Sequence, residues 1–142
     1  MNKLIFSILI LCGVALANGT GVCGDSTLPT PPDLWKGLIA EATGDGYDGM
    51  YGVACCVRNR LKKRMNHGLC GLKRKDLDEF IKKEGKKREE QAKEIIKKVF
   101  EQESKDTTKN ADHFESIRYK RPSWSYSMQK TCQIGEHIFY KS

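Results

Sequence analysis

The chain has 142 residues and a formal net charge of +7; 30% of its residues are charged, 39% hydrophobic and 8% aromatic. That length suits one domain with one modest core and excludes a large multidomain assembly. The basic balance favours polyanionic partners, and by itself does not choose among wall polymers, anionic lipids and nucleic acid.

The first residues read as a targeting segment. Met1-Asn2-Lys3 is a short basic start, and "LIFSILILCGVALA" is an apolar run too short for a comfortable membrane span. Ala15 and Ala17 place small residues at −3 and −1, so residues 1–17 are expected to be a signal peptide cleaved after Ala17. A large residue, Leu11, precedes Cys12, which argues against a lipoprotein anchor. The protein is therefore expected to be secreted, to the extracellular space, the cell wall or a periplasm. It should have no membrane attachment after signal removal, and secretion argues against a nucleic-acid partner.

Removing Cys12 leaves Cys23, Cys55, Cys56, Cys70 and Cys132, an odd number, in a compartment where disulfides are plausible. Cys70, in a turn, is expected to be bridged. No Cys-x-x-Cys pair is present, and His67, His113 and His137 are scattered, so neither a metal site nor a cofactor is expected. The chain is expected to act as a monomer.

Residues 18–32 are rich in Gly, Pro, Ser and Thr and read as a flexible lead-in to a domain over 33–142. Asp33 is the expected N-cap of a helix from Leu34, whose stripe is Leu34, Trp35, Leu38, Ile39 and Ala42. Gly44-Asp45-Gly46 ends that helix. A second helix is expected from about Asp48, as its N-cap, to Arg64, with Met50, Val53, Ala54, Val57 and Leu61 at helical spacing. No charge falls between Gly49 and Val57, as expected of a central helix packed on all sides. The segment "MNHGLCGL" is a turn. Residues 73–105 are densely charged, which a solvated face explains. Within them Ala92, Ile95, Ile96, Val99 and Phe100 predict a helix from about Lys86 to Glu103, with Gly85 as the break before it. Beyond Thr107 aromatics and β-formers dominate. Pro122 can start a short helix through about Lys130, and "HIFYK" reads as a strand in which one of Phe139 and Tyr140 is buried. The expected fold class is α+β, mostly helical, a single domain with a small β element near the C-terminus.

Glu41 is the residue most suited to chemistry. It lies at the edge of the first apolar stripe, one turn from Leu38, just before glycines that leave room for a bulky polymer. Periodicity alone fits a half-solvated boundary carboxylate. It also fits a general acid, because apolar surroundings disfavour the charged form and suit the group to give up a proton. Asp45 and Asp48 are the nearby carboxylates, and neither can be assigned as a second catalytic group from spacing. A cysteine nucleophile is disfavoured, since Cys55 and Cys56 sit in an apolar helix. The aromatics Phe114, Tyr119, Trp124, Tyr126, Phe139 and Tyr140 could stack on sugars or fill the core, with Trp124 expected to be partly exposed.

Taken together, "IAEATGDGYDGMYGVACCVRNR", "GLCGL" and "NADHFESIRYKRPSWSYSMQKTCQIGEHIFYK" resemble the ordered blocks of the cell wall hydrolase family of spore cortex-lytic enzymes. The resemblance spans about Leu34 to Lys141. It implies a lysozyme-like fold and a peptidoglycan glycosidase acting on the bond between N-acetylmuramic acid and N-acetylglucosamine. It implies Glu41 as a single general acid and base, in a lytic transglycosylase or muramidase mechanism. The transglycosylase form would yield 1,6-anhydro ends and need no second carboxylate. The chain departs from the family where Glu79-Phe80-Ile81 replaces Gln-Phe-Ser, and where Asn110-Ala111-Asp112-His113-Phe114 opens the closing block. Glu79, Phe80, His113, Phe114 and Trp124 are the expected substrate-binding residues. The alternative is a non-catalytic cationic wall-binding or antimicrobial protein on the same fold.

Overall fold

A computed structural model describes residues 30–142. The expected signal peptide, Cys23 and nearly all of the lead-in fall outside the described residues. Four helices come first: α1 (Leu34–Ala42), α2 (Gly46–Lys62), α3 (Leu77–Glu84) and α4 (Lys86–Ile96). A three-stranded antiparallel sheet follows: β1 (His113–Ser116), β2 (Gln129–Ile134) and β3 (His137–Lys141), in the order β1-β3-β2. The expected class, a mostly helical α+β domain with a small C-terminal β element, is the class observed.

Helix α2 is the axis of the core. Met50, Val53, Ala54, Cys55, Cys56 and Val57 are all fully buried. The uncharged segment is surrounded because α1 and α4 pack on it from one side and the sheet from the other. Gly52 permits the close approach of the sheet: a Cβ there would lie 2.9 Å from Ile134 Cδ1 and 3.0 Å from Phe139 Cζ. Leu34, Leu38, Ile39 and Ala42 of α1 and Ala92 and Ile95 of α4 complete the apolar interior. Trp35 stays half-buried under the Lys93 ammonium, 4.6 Å from the ring centroid.

Several expectations are corrected. Asp33 adopts φ +61° and makes no side-chain cap; only its carbonyl serves the first turn, accepting from Lys36 N at 2.9 Å. Asp48 is not the cap of α2 but an exposed first-turn carboxylate, where the helix dipole favours it. The cap position belongs to Asp45, whose side chain is engaged elsewhere. The α-helix after Gly85 stops at Ile96 and widens into a π turn over Lys97–Glu101. Arg58 crosses from α2 to hold that turn, Nη1 donating to Val99 O at 3.1 Å and Ser104 O at 2.8 Å.

The helix expected from Pro122 to about Lys130 is a single 3-10 turn, Ser123–Ser127, followed at once by β2. The strand "QKTCQI" is half-exposed and carries a bulge between Lys130 and Cys132, so neither an apolar run nor a clean alternation marked it. Phe139 and Tyr140 are both buried. β3 is the middle strand: Phe139 faces α2, and Tyr140 packs on the other side edge-on to Trp124, 5.6 Å between centroids. No bridge forms among the described cysteines. Cys55 and Cys56 are buried thiols, Cys132 is half-buried, and Cys70, expected to be bridged, is a free thiol on an exposed turn.

Candidate active site

The helical half and the sheet meet in an open cleft of about 400 Å³. Its helical wall is the end of α1 and the 3-10 turn Thr43–Asp45, and its opposite wall is β1 with the β2–β3 turn. Glu41 lies on the helical wall, with Phe80 and Arg74 on one side of it and Phe114 and His137 across the gap.

Glu41 is half-buried and held by one bond: its Oε1 accepts from the backbone N–H of Gly71 at 2.7 Å. The donor comes from the "GLCGL" turn, which packs directly on α1. A Cβ at Gly71 would sit 2.6 Å from Ala40 Cβ and 3.3 Å from Glu41 Oε1, so glycine is what lets the amide reach the carboxylate. Glu41 Oε2 has no partner among the described residues and is not enclosed, which leaves it open to the cleft.

The other carboxylates of the cleft are engaged. Asp45 Oδ1 accepts from Glu136 N at 2.9 Å, and its Oδ2 lies 2.5 Å from His137 Nδ1. The Asp45 side chain is only 6% exposed and that of His137 8%. The pair pins the turn after α1 to the β2–β3 turn, where Gly135 at φ +58° leaves no room for a Cβ beside Asp45. Glu136 is bound by Arg118 Nε. Glu115 Oε1 accepts from Tyr140 Oη at 2.5 Å. Burial and the adjoining Glu115 together raise the Tyr140 phenol above its ordinary range.

The expected binding residues divide. Phe80 and Phe114 line the cleft with Glu41. Phe80 lies under the Arg74 guanidinium, 3.9 Å from its ring centroid, and Phe114 is 5.7 Å from the His137 ring. Glu79, the preceding residue on α3, is exposed and faces a separate shallow groove beside Asp76 and Asp78. His113 and Trp124 are together but outside the cleft lining. Alternation along β1 turns His113 away from Phe114's side; its ring lies 5.1 Å from that of the half-buried Trp124, and Asp112 Oδ1 is 2.8 Å from its Nδ1.

Spacing alone leaves Asp45 an unassigned neighbour of Glu41, and no local pattern points to His137, Ser116, Arg118 or Glu136 for the site. The available signal was "IGEH": a turn glycine followed by two polar residues at the start of an otherwise apolar strand. Its partner lies some ninety positions earlier in the chain, beyond any local pattern. Among the described residues no group of three His, Cys, Asp or Glu side chains could hold a metal, and no helix is long and apolar enough to cross a membrane.

The sequence model of the cell wall hydrolase family matches residues 44–140. The match begins just past Glu41, so it contains the sheet wall and Asp45 but not the candidate acid. Two solved structures are similar. The catalytic domain of the germination-specific lytic transglycosylase SleB from Bacillus anthracis has 21% identity and a TM-score of 0.54, over 75% of this chain and 89% of that one. The catalytic domain of the Bacillus cereus SleB protein has 16% identity and a TM-score of 0.52, over 83% and 98%. At those identities the likeness establishes the fold. No curated protein sequence matches.

Proposed function

The chain belongs to the cell wall hydrolase family, and on that premise we propose that it is a secreted peptidoglycan glycosidase whose single general acid and base is Glu41. The observation that carries this reading is the asymmetry among the cleft carboxylates. Asp45 has both oxygens engaged, and Glu136 and Glu115 are each tied to a side chain, Arg118 and Tyr140, with Glu115 Oε2 enclosed, whereas Glu41 is held by a backbone N–H alone, that of Gly71, and turns its second oxygen to the cleft.

A glycan strand lies along the cleft, its sugar faces against Phe80 and Phe114. Glu41 protonates the oxygen joining N-acetylmuramic acid to N-acetylglucosamine, the bond from C1 to that oxygen breaks, and positive charge develops at C1. The muramyl 6-hydroxyl then attacks C1 and returns its proton to Glu41, closing a 1,6-anhydro ring. This lytic transglycosylase course uses one carboxylate twice and consumes no water. It suits a cleft in which the second candidate, Asp45, is already occupied by His137.

The similar fold of two SleB catalytic domains, one of them described as a lytic transglycosylase, supports the same reading. The basic surface assists by attraction to anionic wall polymers. Mass spectrometry of the digest tests the mechanism: muropeptides ending in anhydro-muramic acid are expected, and reducing muramic ends alone would replace transglycosylation with hydrolysis.

A further inference from the structure

Two of the free cysteines approach the same short stretch of chain, residues 105–107. Cys55, on α2, has its Sγ 3.9 Å from Lys105 O. Cys132, on β2, has its Sγ 3.7 Å from Thr107 O. The packing of α2 on the sheet explains the meeting. Gly52 abuts Ile134 and Phe139; one turn further along the helix is Cys55, and two residues back along the strand, on the same face, is Cys132. The two thiols differ in kind. Cys55 is fully buried, and burial raises its thiol above the ordinary range, opposed by hydrogen bonding from Thr107. Cys132 is half-buried and reachable from solvent.

We propose that Cys55 and Cys132 form a disulfide on exposure to a small-molecule disulfide, with Cys132 as the thiol that reacts first. The Cys132 thiolate attacks one sulfur of the reagent, for example glutathione disulfide, forming a mixed disulfide and releasing one thiol. Cys55 then loses its proton and attacks the Cys132 sulfur, releasing the second thiol and leaving the internal bond. Two protein thiols are oxidised and one reagent disulfide is reduced to two thiols, so the exchange balances. The bond joins the central helix to an outer strand of the sheet and encloses the segment between residues 55 and 132. It thereby ties together the two halves whose junction is the cleft. Cys56, one position along α2, makes no such approach; burial holds its thiol far above the ordinary range.

The test is peptide mapping by mass spectrometry, without reduction, of the folded chain treated with glutathione disulfide. A linked pair of peptides carrying Cys55 and Cys132 is expected, with both thiols lost from the titration and the link retained in Cys56→Ser and Cys70→Ser. In Cys55→Ser, glutathione should remain attached to Cys132. The oxidised chain should unfold at a higher temperature than the reduced one, by on the order of 10 °C. Recovery of Cys55 and Cys132 as free thiols from treated wild-type protein, or of Cys132 linked to a different cysteine, would overturn the proposal. The mapping requires no substituted protein, so a variant that fails to fold leaves the answer intact.

Discussion

Glu41 and Gly71 depend on each other. The amide of Gly71 fixes one carboxylate oxygen, and the missing side chain of Gly71 is what lets the turn approach α1. In Gly71→Ala the new methyl group must displace the turn from Ala40, carrying the N–H away from Glu41. The expected outcome is a loss of about 1–3 kcal/mol in stability by denaturant titration. Wall lysis should fall about 10- to 100-fold, because misplacing a catalytic group by a fraction of its reach is costly. A chain with normal lysis would show that the Gly71 contact does not orient Glu41. The sequence placed Glu41 at the margin of an apolar stripe but carried no sign of its hydrogen-bond donor, thirty residues away.

At the scale of elements, α1, α2 and α4 were legible because their apolar residues recur at helical spacing, whereas α3 was not expected, since Ile81 is its one buried residue within a densely charged stretch. The features that failed were set by distant partners. Asp45 occupies a cap position, yet its side chain turns to His137 and Glu136, because a buried imidazole and a free strand-turn amide outcompete the helix's own N–H groups. β2 escaped notice because half its residues face solvent and a bulge interrupts its alternation. The π turn after α4 also meets a distant partner, with Arg58 reaching from α2 to Val99 O within the turn and to Ser104 O just beyond it. Arg58→Met, which keeps much of the bulk and removes both bonds, should cost about 1–3 kcal/mol in a denaturant titration, since it leaves the buried Val99 carbonyl and the half-buried Ser104 carbonyl without their donor. No change in the titration midpoint would mean that the turn holds without those bonds.

At the scale of the whole molecule, two acidic centres, the buried Asp112 and the half-buried Asp106, tie the helical half to the C-terminal half. Burial works against the Asp112 carboxylate, but hydrogen bonds from Lys63, Ser142 and His113 outweigh it and hold the group well below the usual carboxylate range. Asp106 is likewise lowered: its burial is opposed by Asn59 and by Thr108. A carboxyl whose folded pKa is depressed adds stability above its unfolded value of about 3.9, and that contribution is lost as pH falls through the folded values. Unfolding midpoints should therefore hold steady down to about pH 5 and drop progressively below about pH 4. Asp112→Asn should flatten that drop, and an unchanged slope would place acid sensitivity elsewhere. The net charge of +7 belongs to this scale too. Retention on isolated walls should weaken as sodium chloride is raised, because the Debye length shrinks to about 3 Å at 1 M; salt-independent retention would assign binding to the cleft alone.

The most direct test of the account is the rate at which Glu41→Gln clears a suspension of purified peptidoglycan, measured beside wild type with folding verified by circular dichroism. Glutamine keeps the shape and can still accept from Gly71 N–H, but has no proton to give and none to take back. The account predicts a fall of at least about 100-fold with wall binding retained. Clearance at the wild-type rate would contradict it, leaving Glu41 a helix-end carboxylate and moving the chemistry to another residue.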